Sequence, residues 1–165
     1  MQNITRWQAL PAGYGKGFIV TTKYPQLLLE NQLCFDLYSA SRRLIQSYRP
    51  YLEPLGLTYP QYLVLMVLWE YSEIGMKELG IRLELDSGTT TPLLKRMEAK
   101  GLLERIRSEI DEREIFIKIT ASGTRVKEKL KHLPFDLKCK AQLSDTQVNA
   151  LKRKLRALNQ SLQSN

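Results

Sequence analysis

After Gly101 the apolar spacing of this chain switches from helical to alternating, and that switch limits the folds open to it. Leu103, Arg105 and Arg107 alternate with Glu104, Ile106 and Ser108, and Ile115, Ile117 and Ile119 alternate with Phe116 and Lys118. Side chains two apart share one face of a strand, so each run reads as a half-buried strand. The polar stretch Glu109-Ile110-Asp111-Glu112-Arg113-Glu114 between them makes the pair a β-hairpin with a charged tip. The other periodic stretches are helical. A mainly α fold with one small β-hairpin is therefore expected.

From Leu27 to Tyr48 apolar residues recur at helical spacing, with Leu29, Leu33, Leu37, Leu44 and Tyr48 on one stripe and Cys34, Tyr38 and Ile45 beside it. Pro50, Pro54 and Gly56 end this element. Thr58 suits an N-cap and Pro60 a first helical turn, opening a second helix that runs through Trp69. Met76 to Leu83 reads as a short helix with Leu79 and Leu83 on one face. Leu85-Asp86-Ser87-Gly88 then supplies a turn with capping residues before a helix from Thr89 to Lys100, closed by Gly101. Its inner face is Leu93, Leu94 and Met97, leaving Thr89, Thr90, Lys95 and Arg96 outside; Pro92 is tolerable near the start. Thr120 caps a helix toward His132 that Pro134 interrupts. Ser144 caps a last one, carrying Val148, Leu151, Leu155, Leu158 and Leu162. Residues 1–26, with Gly13, Gly15 and Gly17 between Pro11 and Pro25, read as an extended arm. Short helix, turn, helix with a polar outer face, then hairpin: this is the order of a winged helix-turn-helix, whose second helix enters the major groove of DNA. A generic α+β domain with a solvated helix is the plainer alternative.

The net charge of +8 favours an anionic partner, yet residues 76–119 hold nine groups of each sign. Local placement must carry any DNA contact. Lys95, Arg96, Arg105, Arg107 and Arg113 are the cations placed for phosphates, and Ser87, Thr89 and Thr91 could reach base edges. The longest apolar run, Leu63 to Trp69, is too short to span a bilayer, and the chain does not begin with an export pattern. A cytoplasmic protein with reduced thiols is expected. A single histidine, His132, and the lack of clustered ligands speak against hydrolase, metalloenzyme and cofactor chemistry. The only two cysteines, Cys34 and Cys139, flank the reading head. Isolated thiols there suggest a response to oxidation, although free cysteine is also among the residues most often simply buried.

Several blocks together resemble the MarR family: Leu29-Glu30-Asn31-Gln32-Leu33-Cys34-Phe35, Tyr48, Thr58-Tyr59-Pro60-Gln61-Tyr62-Leu63, the run from Leu85 to Glu98, and Asp111-Glu112-Arg113. The resemblance spans about residues 27–160 and is narrower still to the organic-hydroperoxide-sensing OhrR repressors of the two-cysteine type. It implies a homodimer of winged helix-turn-helix subunits on a palindromic double-stranded operator. Residues 27–56 and 121–165 would supply the N- and C-terminal dimerisation helices, around a reading head at about 58–120. It further implies that Cys34 is the peroxidatic cysteine, that Tyr48 and Tyr59 hydrogen-bond its sulfur from the other subunit with Tyr38 nearby, and that Cys139 is the resolving thiol. Ser87 to Arg96 match the recognition helix, and Asp111 and Arg113 the wing.

On a helix read from Leu27, Cys34 lies beyond the first turn and beside Glu30, which opposes ionisation. Activation is therefore expected from tertiary donors, and phenol hydroxyls suit that task. Oxidation gives a sulfenic acid that can condense with a second thiol. A bond from Cys34 to Cys139 of the partner subunit needs Cα atoms within about 7 Å, so closing a wider gap would move a helix. That movement could draw the reading heads out of register with their half-sites. Three other readings stay open: a MarR-type repressor released by a small aromatic ligand, a thiol peroxidase, which would turn over repeatedly with a reductant, and a constitutive DNA-binding protein with inert cysteines.

Overall fold

The computed structural model describes residues 23–111 and 113–163. The extended arm read over residues 1–26 lies outside the described residues up to residue 22. The chain divides into two units after Ala40.

In the first unit the helix expected from Leu27 does not start there. Pro25–Leu27 and Leu29–Asn31 form 3₁₀ turns, and α1 (Leu33–Leu52) begins only at Leu33. Local side chains explain the delay. Gln32 Nε2 donates to the carbonyls of Gln26 (2.6 Å) and Leu28 (3.1 Å), and Asn31 Nδ2 donates to Pro25 O at 2.8 Å. These amides occupy carbonyls that a continuous helix would use. At its other end α1 passes through Pro50, where a stop was expected. So close to the terminus, the ring forfeits a single intrahelical bond.

The second unit carries the reading head. α2 (Tyr59–Tyr71) starts after Thr58, whose N–H donates to Gln61 Oε1 at 3.1 Å. α3 (Met76–Leu83) and α4 (Ser87–Ala99) form the helix-turn-helix. β2 (Leu103–Arg107) and β3 (Ile115–Ile119) form the hairpin, in register from Leu103 opposite Ile119 to Arg107 opposite Ile115. A third strand, β1 (Glu73–Gly75), pairs antiparallel with β3, giving the order β1-β3-β2. Three residues are too few to show alternation, which is why this strand has no sequence signal. α5 (Ala121–Leu130) is capped by Thr120, whose Oγ1 accepts from Gly123 N at 3.1 Å. The interruption expected at Pro134 falls just ahead of it, after Leu130, and Pro134 itself sits in the first turn of a new helix, α6 (Leu133–Ala141), where its missing N–H costs no bond. α7 (Asp145–Gln163) opens with reciprocal bonds between Ser144 and Gln147.

Leu52, Leu65, Leu68, Leu79, Leu94, Met97, Leu103 and Ile117 are fully buried and seat α2, α3, α4 and the sheet on one core. The expected inner face of α4 holds, with one addition. Thr90, expected outside, is buried, because its Oγ1 donates to Asp86 O at 2.8 Å within the capping turn. Gly123 marks the tightest approach: a Cβ there would stand 2.2 Å from Leu102 O. α5 can lie against the strand-leading segment only because that position has no side chain.

Candidate functional site

The outer face of the reading head is built on one cap. Asp86 Oδ1 accepts from Thr89 N at 2.7 Å, and Thr89 Oγ1 donates to Asp86 Oδ2 at 3.2 Å. The Thr89 backbone N–H, followed by its hydroxyl, holds the Asp86 carboxyl below its usual range. With its proton committed to Asp86, the Thr89 hydroxyl is left to face outward as an acceptor. Ser87, Thr89, Lys95 and Arg96 are exposed along α4, and Thr91 is half-buried. On the hairpin, Arg107, Asp111 and Arg113 are exposed, and Asp111 Oδ1 accepts from Arg113 N at 2.9 Å, tightening the tip. Arg105 behaves differently from the other candidate cations. It is half-buried, its backbone N–H donates to Glu98 Oε1 at 3.0 Å, and its buried Nε lies 3.7 Å from Glu98 Oε2, an ion-pair distance without a hydrogen bond. Its backbone bond and ion pair to Glu98 link the hairpin to α4.

The tyrosines form a second constellation within the same unit. Tyr48 and Tyr59 meet edge to face with centroids 4.8 Å apart, and Tyr62 lies 5.7 Å from Tyr48 and 6.4 Å from Tyr59. Trp69, 6.0 Å from Tyr62, closes the row. Burial pushes Tyr48 up to about 12, with Tyr59 and Tyr62 adding to the shift. Burial raises Tyr59 and Tyr62 too. These phenols therefore stay protonated, as O–H donors, well above neutral pH. A cleft of about 320 Å³ opens beside Tyr59, lined also by Ile45, Leu52, Leu57 and Pro60. Tyr62 and Trp69 were not anticipated from sequence, because on a helix this apolar they look like ordinary core.

Cys34 and Tyr38 belong to the first unit, and both are exposed. The late start of α1 corrects the sequence reading of Cys34: it is the second residue of the helix, within the first turn. Cys139, in the second unit, is exposed in the last turn of α6 between Lys138 and Lys140. Neither thiol is the buried small hydrophobe of the plainer reading. Among the described residues no group of three His, Cys, Asp or Glu side chains could hold a metal ion, and no helix is long and apolar enough to cross a membrane.

The chain is similar to known transcriptional regulators. The family described as "Transcriptional regulator SarA/Rot" matches residues 46–130. The organic hydroperoxide resistance transcriptional regulator of Bacillus subtilis (strain 168) is 45% identical over 140 residues, covering 85% of this chain and 95% of its own. Among solved structures, reduced AbfR bound to DNA superposes with a TM-score of 0.72 at 35% identity, covering 87% of this chain and 98% of that one; AbfR is a Staphylococcus epidermidis protein. A cysteine-to-serine mutant of MarR from E. coli, complexed with operator DNA, gives a TM-score of 0.70 at 26% identity over 76% of this chain and 92% of its own.

Proposed function

Because this chain belongs to the MarR-like family of winged-helix transcriptional regulators, we propose that it is a homodimeric repressor released from its DNA operator when Cys34 is oxidised by an organic hydroperoxide. Its relatives are transcriptional regulators and not enzymes, and a regulator needs one redox cycle where a peroxidase needs many. α4 enters the major groove with Ser87, Thr89 and Thr91 toward base edges and Lys95 and Arg96 toward phosphates. Arg107, Asp111 and Arg113 carry the hairpin to the adjoining backbone. A two-fold dimer calls for a palindromic operator. α7 supports that dimer: none of its residues is buried, while Leu151 (48%) and Leu162 (67%) expose their apolar stripe.

The Cys34 thiolate attacks the distal peroxide oxygen, giving the sulfenic acid and releasing the corresponding alcohol. Tyr48 and Tyr59 of the other subunit donate hydrogen bonds to the sulfur, with Tyr38 beside it. The thiol of Cys139 of the partner subunit then displaces water from the sulfenic acid to form the disulfide, and thiol exchange resets it. The observation that carries this reading is the exposure of both thiols, the only two in the chain, on helices that precede and succeed the reading head in sequence. The relative named for organic hydroperoxide resistance supports the choice of oxidant.

The test is a non-reducing gel of wild type, Cys34→Ser and Cys139→Ser after cumene hydroperoxide. A thiol-reversible covalent dimer in wild type alone is expected. A dimer persisting in Cys139→Ser would remove that residue as resolving thiol, and no dimer in any lane would remove the disulfide step.

A further inference from the structure

Gln61 is a buried polar side chain, 3% exposed, at the first turn of α2. Its Oε1 accepts two hydrogen bonds. One comes from Thr58 N at 3.1 Å, and the other from Lys100 Nζ at 3.3 Å. The same ammonium donates to the Gly56 carbonyl. Gly56 closes the 3₁₀ turn Glu53–Leu55 with a left-handed backbone, so its carbonyl lies at a helical C-terminal end, where a cation is favoured. Lys100 therefore makes a charge-assisted bond to the corner that joins α1 to α2.

The other end of Lys100 matters as much. Its backbone terminates α4, and Gly101 behind it, at φ +66, turns the chain into β2 through Leu102. The hub between recognition helix and hairpin is thereby tied to a corner distant in sequence. Tyr59 is the first residue of α2, directly after Thr58. A shift of Thr58-Tyr59 moves the Gln61 carbonyl through the Thr58 N–H, and the Lys100 ammonium with it. The Arg105–Glu98 contacts join hairpin to α4, so the two would turn together.

We propose that Lys100 is a positioning residue that passes displacement of the α2 N-terminus to the recognition helix, turning α4 and the hairpin off the DNA when the thiol is oxidised. The proposal rests on the redox reading above. A brace that merely stiffened the fold would affect reduced and oxidised protein alike; a relay affects the difference between them. Lys100 is exposed, so its substitution spares the core.

The experiment uses full-length wild type, Lys100→Met and Lys100→Arg, with a DNA duplex selected from a random pool by reduced wild-type protein. Affinity is measured before and after cumene hydroperoxide, and the same samples are run on a non-reducing gel. Lys100→Met is expected to form the disulfide as wild type does and to bind within about threefold of wild type when reduced, while its oxidised-to-reduced ratio of dissociation constants falls on the order of tenfold. Lys100→Arg, which keeps the charge and donors, is expected to restore the ratio. A wild-type ratio in Lys100→Met overturns the relay, as does an equal loss of affinity in both states. Wild type that neither cross-links nor releases DNA overturns the redox reading and the relay with it, an outcome the gel separates from the others.

Discussion

Tyr48 shows how burial shifts the ionisation of a single residue in a way its sequence neighbours do not reveal. Its hydroxyl ionises at about 12 in place of 10.0, chiefly because burial disfavours the phenolate. Its stabilising contribution is thus complete below the unfolded value and is lost as pH rises through the folded one. Titration of tyrosinate absorbance should show a late transition that Tyr48→Phe diminishes; ionisation of every tyrosine near the ordinary value would contradict it. Asp86 runs the opposite way. Its carboxyl is lowered by the Thr89 N–H, so its contribution is present above the unfolded value and disappears as pH falls through the folded one. Urea midpoints of Asp86→Asn should fall less steeply on acidification than those of wild type, and parallel curves would refute that role. Gly123→Ala should cost about 1–3 kcal/mol in urea unfolding, because the added methyl meets the Leu102 carbonyl. An unchanged midpoint would mean that α5 rides free of that backbone.

Elements divided cleanly between those legible in sequence and those that were not. The hairpin and α3 were readable because alternation and helical spacing survive in their own residues, and Met76–Leu83 ends where the spacing ends. The start of α1 was not, because the amides of Asn31 and Gln32 turn back on local carbonyls and outweigh a continuous apolar stripe. The misplaced start also put Cys34 in the wrong helical turn. β1 carries no alternation, and the Lys100–Gln61 bridge joins residues too far apart for any spacing to announce. Arg105 and Arg96 look equivalent in sequence but separate in the fold. Arg96→Ala should reduce the slope of log affinity against log salt by about 1, as expected for one phosphate contact. Arg105→Met should leave that slope unchanged, since its guanidinium is half-buried and paired in charge with Glu98. Equal slopes for the two variants would contradict the division between α4 cation and hairpin brace.

At the scale of the whole chain, both exposed thiols lie on helices that precede and follow the reading head in sequence, and the reading head itself contains no cysteine. Under the proposed redox switch, the strength of regulation is the ratio of DNA affinities in the two thiol states. The most direct test is fluorescence anisotropy of a selected duplex titrated with wild type and Cys34→Ser, before and after cumene hydroperoxide, and again after thiol reductant. Loss of binding in oxidised wild type, regained on reduction and absent in Cys34→Ser, is the expected result. Equal affinity in all three states, or release that persists in Cys34→Ser, would contradict a switch centred on Cys34.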